Sequence, residues 1–285
     1  MSGREQARRR ALDALVDDVA ISDLLAAQGT PKLPPVAVVI AAYKERDNIG
    51  AVVRSIPRRI CDLDACAVVV VDGEDDGTSE IVRGAGHVAV VAPVNRGQGA
   101  ALRLGYRVAR DYGAIYVVTA DADGQSDPED LATVLAPVVA GEADFVNGSR
   151  RLGRTHSTGA VRNFGVLVFS ALSSLLTGTK VTDTANPIRA MRAELTAELV
   201  LDEPQYQASE LLISAIMSGA RYSERPVTMH RRTSGRSKKG GNLAYGWRYS
   251  KVFLGTWWRE LRRRREHATA AAQAAPAARP SSRSK

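Results

Sequence analysis

Two spacings of apolar positions organise the first half of the chain. Leu12, Leu15, Val16, Val19, Ile21, Leu24 and Leu25 recur at roughly helical intervals, so residues 1–29 read as a helix. A Pro-rich break, Thr30–Pro35, ends it. Four short apolar runs follow: Val36–Ala42, Ala67–Val71, Val88–Val91 and Ile115–Thr119. They are short and continuous, as strands buried on both faces are. The intervening segments Asn48–Ile56, Gly77–Gly84 and Gly97–Tyr112 read as helices. Strands alternating with helices predict an α/β fold, a mostly parallel, doubly wound Rossmann-like sheet flanked by helices. Right-handed crossovers then gather the C-terminal strand ends at one edge, where ligands of open α/β sheets bind. Three polar clusters fall at such ends: Tyr43–Asn48, Asp72–Thr78 and Asp121–Asp127.

Beyond Asp130 the pattern loosens. Phe145–Gly148 reads as a strand; Phe164–Leu176, Gln207–Met217 and Leu243–Trp258 read as helices. Phe164–Leu176 is uncharged but shorter than the roughly 20 residues that span a bilayer, which leaves a buried or an interfacial helix. Leu243–Trp258 carries Tyr245, Trp247, Tyr249, Phe253, Trp257 and Trp258, then Arg259 and Arg262–Arg265. Aromatics with trailing arginines suit an anionic lipid interface; a core-packed helix with a solvated basic end is the other reading. From Arg262 on, no apolar period is visible and disorder is expected.

Composition narrows the classes. With 285 residues, 45% hydrophobic and 25% charged, the chain can bury a sizeable core and is of soluble globular type. The net charge of +8 is unevenly placed: seven Lys/Arg against the single acid Glu266 between Arg262 and Lys285 leave the rest close to neutral. That disfavours a nucleic-acid partner and favours a local basic patch. Cys61, Cys66 and four histidines show no zinc-ligand spacing, and a reduced, cytoplasmic setting is expected. The N-terminal MSGREQARRR is too charged for a signal peptide.

The candidate chemistry lies after the fourth strand. Asp121 and Asp123, one residue apart, can face one ligand, and with Gln125 they offer hard oxygen donors suited to Mg²⁺ or Mn²⁺. Alone such a pair is weak, because acidic turns follow strands constantly. Asp72 and Asp76 can equally cap the next helix.

The ordered set of motifs adds weight. AAYKERDNI, VVDGEDDGT, NRGQGAAL, DADGQSDPED, NGSRR with Arg162–Asn163, DTANPIRAMR and SGRSK occur in this order between about Val36 and Lys238. Together they resemble the family-2 glycosyltransferases of GT-A fold, in the branch of dolichyl-phosphate mannose synthase and the polyprenyl-phosphate sugar synthases. The chain departs from that pattern at Ala41, Lys44 and Val71, and at Asn186–Pro187–Ile188. The resemblance implies an inverting, metal-dependent hexosyltransferase. It places the nucleotide sugar against Ala42, Tyr43, Glu45, Asp72, Asn95, Gly97, Gly99 and Ala122, with Asp72 accepting from the base. Asn95, Gly97 and Gly99 would let the backbone approach the nucleotide. Asp121, Asp123 and Gln125 would hold the metal. Arg150, Arg162, Arg189, Arg236 and Lys238 would grip an acceptor phosphate. Asp183 and Glu210 are the candidate bases for a hydroxyl acceptor.

The expected organisation is therefore an N-terminal helical extension (1–33), a catalytic domain (34–240), an aromatic, basic amphipathic helix (241–265) and a disordered tail (266–285). The expected partners are a nucleotide-sugar donor, a polyprenyl or other lipid phosphate, and the anionic inner membrane face, bound peripherally. A homo-oligomer stays open. The rival readings are transfer to a soluble hydroxyl and a non-catalytic nucleotide- or nucleic-acid-binding module.

Overall fold

The structure, a computed structural model, describes residues 3–155, 160–205, 207–230 and 242–274. Strands β1 (Val36–Ala42), β3 (Leu63–Asp72), β4 (Val88–Ala92) and β5 (Tyr116–Asp121) are the four apolar runs of the sequence. They lie parallel in the order β4-β3-β1-β5, with Val39 opposite Val68 and Thr119. Their valines alternate between two apolar layers. Val39, Val68 and Val70 face one side with Leu104 and Leu212; Val38, Ile40 and Val69 face the other with Ile49, Val53 and Leu135. Burial of both faces is why these strands read as unbroken apolar runs.

Helices cover the sheet as the alternation implies: α1 (Gly3–Gln28), α2 (Arg46–Ser55), α3 (Thr78–Gly84), α4 (Gln98–Asp111) and α5 (Asp130–Val139). The second half extends the sheet through β6 (Phe145–Thr155), β7 (Arg189–Arg192) and β8 (Tyr222–Met229). β7 is antiparallel to both β5 and β6, and β8 is parallel to β6. β6 and β8 therefore point the same way as β5, and their C-terminal ends share its edge. A short β2 (Arg59–Ile60) forms a hairpin with β3. Helices α6 (Ala160–Thr177), α7 (Leu195–Glu198), α8 (Gln207–Ser218) and α9 (Asn242–Ala274) complete the fold.

One expectation for the C-terminal part is corrected. The helix does not end at residue 265 but runs to Ala274. Arg and Ala are strong helix formers, so the chain stays helical where no apolar period marks it. Three of its arginines are also tied in. Arg259 bonds Glu210, Glu260 and the Val200 carbonyl, Arg263 bonds Glu260, and Arg264 donates to the Ile216 and Met217 carbonyls at the end of α8. Tyr249 and Phe253 are buried against Ile213 and Met217, and the Trp257 indole donates to the Leu176 carbonyl. The core-packed reading thus describes Tyr249, Phe253, Trp257 and Leu261 of this helix. Leu254 and Trp258 stay about half exposed, with Arg262 over the Trp258 ring. Among the described residues no helix is long and apolar enough to cross a membrane.

Candidate functional site

The loops after β1, β3, β4 and β5 meet at one edge. After β1, Tyr43 is exposed and Lys44 takes a left-handed backbone (φ 53°) beside Glu74, 3.2 Å away. Short polar residues such as Asn enter that region most easily, and here a lysine occupies it. Glu45 accepts from the Asn48 amide at 2.8 Å, at the start of α2.

β3 delivers Asp72 into the interior, 2% exposed. Its two oxygens accept the backbone N–H groups of Arg96 (3.0 Å) and Gly97 (2.7 Å). Burial raises its pKa, and the two N–H bonds oppose the rise. Asp72 therefore ties the end of β3 to the 95–97 turn. It does not cap α3; Asp75 and Asp76 accept the first N–H groups there.

The small residues Gly97 and Gly99 have a different immediate cause from the expected one. A Cβ on Gly97 would sit 2.6 Å from the Pro204 carbonyl oxygen. One on Gly99 would run into the Glu203 carbonyl, and the Gly99 N–H donates to Pro204 O at 2.7 Å. It is the 203–204 backbone that approaches here, which only glycine permits. A cleft of about 610 Å³ opens beside it, between α1, the 95–97 turn, Glu203–Gln205 and Arg248–Val252 of α9.

β5 ends in Asp121, whose Oδ1 accepts the Gln98 amide at 3.1 Å. Ala122 is buried. Asp123, 7% exposed, accepts the Gln125 N–H at 3.1 Å and so closes a tight turn. The Gln125 amide donates to the His230 carbonyl, and the His230 N–H donates to Gln125 O. The His230 ring meets Asp127 at 3.1 Å. The Glu129 N–H and then this ring hold Asp127 below the usual carboxylate range. No group of three or more His, Cys, Asp or Glu side chains that could hold a metal occurs among the described residues. The donor set fits a Mg²⁺ or Mn²⁺ ion whose shell is completed by water and substrate phosphate, rather than a closed protein cage.

The expected phosphate grips divide. Arg150 forms a two-pronged pair with Asp183, Nε–Oδ2 2.6 Å and Nη2–Oδ1 2.7 Å. Burial pulls its pKa down, but Asp183, with the charge of Asp121 adding, holds it above the ordinary value. Asp183 is fully buried and accepts the Arg150 and Ala185 N–H groups as well, a poor setting for the base it was expected to be.

Glu210 and Arg189 are placed differently from the expectation, in the interior. Glu210 is fully buried, accepts the Asp202 and Glu203 N–H groups at 2.9 and 3.0 Å, and pairs with Arg259 at 3.0 Å. Arg189 is 2% exposed and donates to Asn147 Oδ1 and to the Thr184 and Ala208 carbonyls. Both are committed to partners within the chain. The Arg162 side chain, Arg236 and Lys238 lie outside the described residues.

Sequence reasoning missed three participants. Gln98 sits inside a quoted motif, yet its contact with Asp121 spans 23 residues. Arg96 lies in the same motif, yet its backbone N–H meets Asp72 across 24 residues. His230, assigned no chemistry, is brought to Asp127 across 103 residues by β8.

Comparison with known proteins gives consistent results. Residues 37–200 match the family described as glycosyl transferase family 2. A dolichyl-phosphate hexose transferase of Haloferax volcanii is 34% identical over 76% of this chain and 93% of its own. A polyprenol monophosphomannose synthase of Mycolicibacterium smegmatis is 31% identical over 72% and 81%. Among solved structures, glucosyl-3-phosphoglycerate synthase of Mycobacterium tuberculosis, in complex with Mn²⁺, UDP and glucosyl-3-phosphoglycerate, superposes with a TM-score of 0.62 at 19% identity. The match covers 83% of each chain.

Proposed function

The chain belongs to glycosyl transferase family 2, and from that premise we propose that it moves a hexose from a nucleotide diphosphate sugar to a polyprenyl phosphate, inverting the anomeric carbon. The observation that carries the proposal is the pairing of Asp121–Asp123 with the Asp72-anchored 95–97 turn at one strand edge. The nucleoside lies against Tyr43 and Glu45, beside the turn that Asp72 anchors. Asn95–Gly97 flanks the donor, and Asp121, Asp123 and Gln125 face its diphosphate. A divalent cation held there would neutralise charge on the departing nucleoside diphosphate. The acceptor oxygen attacks the anomeric carbon as the bond to the diphosphate breaks, through an oxocarbenium-like state.

The fate of the two candidate bases supports a phosphate acceptor. Asp183 and Glu210 are both buried and committed to arginines. A phosphate is already anionic near neutral pH and needs no strong base; a hydroxyl does. The His230–Asp127 pair favours the second reading, a soluble hydroxyl acceptor with His230 as base. For a lipid-linked acceptor, peripheral attachment is the companion proposal. Leu167, Val168 and Leu175 on α6, and Leu254 and Trp258 on the contacting α9, are exposed apolar side chains suited to it.

The test is a cross of GDP-mannose, UDP-glucose and UDP-N-acetylglucosamine with short polyprenyl phosphates, 3-phosphoglycerate and simple alcohols, read by mass. A glycosyl prenyl phosphate supports the proposal. Product only with a hydroxyl acceptor moves the assignment to the second reading. No transfer, with retained polynucleotide binding, would make this a binding module.

A further inference from the structure

Helix α1 lies outside the family match, which begins at residue 37. It does not merely cover the sheet. Arg96 extends its guanidinium to α1, donating from Nη1 to the Asp13 carbonyl (2.9 Å) and carboxylate (3.3 Å), and from Nη2 to Asp17 (2.6 Å). The same residue's backbone N–H holds Asp72. One turn of chain is thus fixed from both sides: by α1 through the side chain, and by β3 through the main chain.

A second link reaches the opposite wall. Arg103 of α4 donates to Asp13 Oδ2 at 3.0 Å and to the Glu203 carbonyl at 3.1 Å. Arg10 of α1 holds Asp202 at 2.7 Å. The 203–204 segment is the one that presses on Gly97 and Gly99.

The ion cluster is not a solvated surface one. Arg96, Asp17 and Asp13 are 10%, 16% and 20% exposed, and Arg96 Nε is buried without a partner. With Arg103 the cluster holds two charges of each sign. Pairs this withdrawn from water depend on each other far more than exposed pairs do, because removing one partner strands the other.

We infer that α1 is a positioning element of the donor pocket, in which Asp13 and Asp17 set Arg96 and so the 95–97 turn that grips Asp72. The inference rests on the proposed reading of that turn as the nucleotide-sugar wall. Helix α1 touches no substrate; it acts through Arg96 on the shape of the wall.

The experiment uses the full chain and four variants: Asp13→Asn with Asp17→Asn, Asp17→Glu, Arg96→Lys and Arg107→Gln. Arg107 pairs with Asp18 of the same helix at 2.8 Å but has no bond to the turn, so it reports on helix docking alone. Binding of UDP and of GDP with Mn²⁺ is measured calorimetrically, beside donor KM, acceptor KM, kcat and a thermal melt. The expected result is a tenfold or greater rise in nucleotide Kd and donor KM for the double variant. Its kcat and acceptor KM stay within twofold. Arg96→Lys, which cannot fork to both carboxylates, falls between, Asp17→Glu retains most of the binding, and Arg107→Gln binds as wild type. Should the double variant fail to fold, Arg96→Lys against Arg107→Gln decides alone. Unchanged nucleotide binding in the brace variants, or an equal loss in Arg107→Gln, overturns the inference. If the wild type binds neither nucleotide, the donor reading fails first and takes this one with it.

Discussion

Gly99→Ala separates two explanations of the same glycine. If the residue is small only to admit a nucleotide, an added methyl blocks binding and leaves stability unchanged. The structure says otherwise. The new carbon would lie far inside the 3.0 Å that real Cβ atoms essentially never undercut, against the Glu203 carbonyl oxygen, and 3.1 Å from Gln207 Cβ. Neither neighbour yields easily, since Glu210 holds the Asp202 and Glu203 N–H groups from within the core. Overpacking of this kind costs about 1–3 kcal/mol. Weakening the Gly99 N–H to Pro204 O bond adds about 1 kcal/mol. The net loss of about 3 kcal/mol corresponds to a melting point lower by about 6–10 °C in a chain of this size. Urea and thermal unfolding of apo protein measure it. Gly255→Ala is the control: that glycine sits inside α9 with nothing within 4 Å of the new carbon, and Ala should stabilise by up to about 1 kcal/mol. A Gly99→Ala protein that melts with the wild type yet loses nucleotide binding would refute the packing argument.

Three further outcomes follow from the same contacts. Glu210→Ala should cost about 2–4 kcal/mol of stability, because it leaves the part-buried Asp202 and Glu203 N–H groups without an acceptor and removes one of the partners of Arg259, and the activity lost should track the folded fraction in a melt. Hydrogen bonds from Arg221, then Arg192, hold the Asp144 carboxyl well below the usual range. A depressed folded pKa gives stability that is present above the ordinary value near 4 and lost as pH falls through the folded one. Asp144→Asn should therefore leave acid denaturation shallower below about pH 4, by less than about 1 kcal/mol for so exposed a cluster. Replacing Leu175, Leu254 and Trp258 together by Ser should release the protein from anionic liposomes without shifting nucleotide affinity; equal sedimentation of both proteins would place the membrane contact elsewhere.

Much of the fold was legible because its strands are buried on both faces. VAVVIAA and CAVVVVD are continuous apolar runs, and the polar residues that close them mark the site edge. β7 was not legible, since its four residues, RAMR, open with an arginine whose partners lie 42, 19 and 5 residues away. β8, YSERPVTM, hides behind a proline and a partly exposed face. The site followed the same logic. Asp72 and Asp121 end strands and Asp123 follows two residues on, the positions the apolar runs imply. Glu210 and Arg189 carry the residue types of a catalytic site but are consumed by buried pairs, and no local pattern reveals a partner 49 residues off.

On the proposed function, the Asp121–Asp123 pair at the edge of β5 supports glycosyl transfer to a phosphate. It is tested most directly by following transfer of labelled hexose to a short polyprenyl phosphate with Mn²⁺, with chelator, and with Asp121→Asn and Asp123→Asn. Each variant should lose transfer by at least a hundredfold while melting within a few degrees of the wild type, and chelator should abolish turnover reversibly. Turnover at the wild-type rate without divalent cation, or in either variant, would contradict the account.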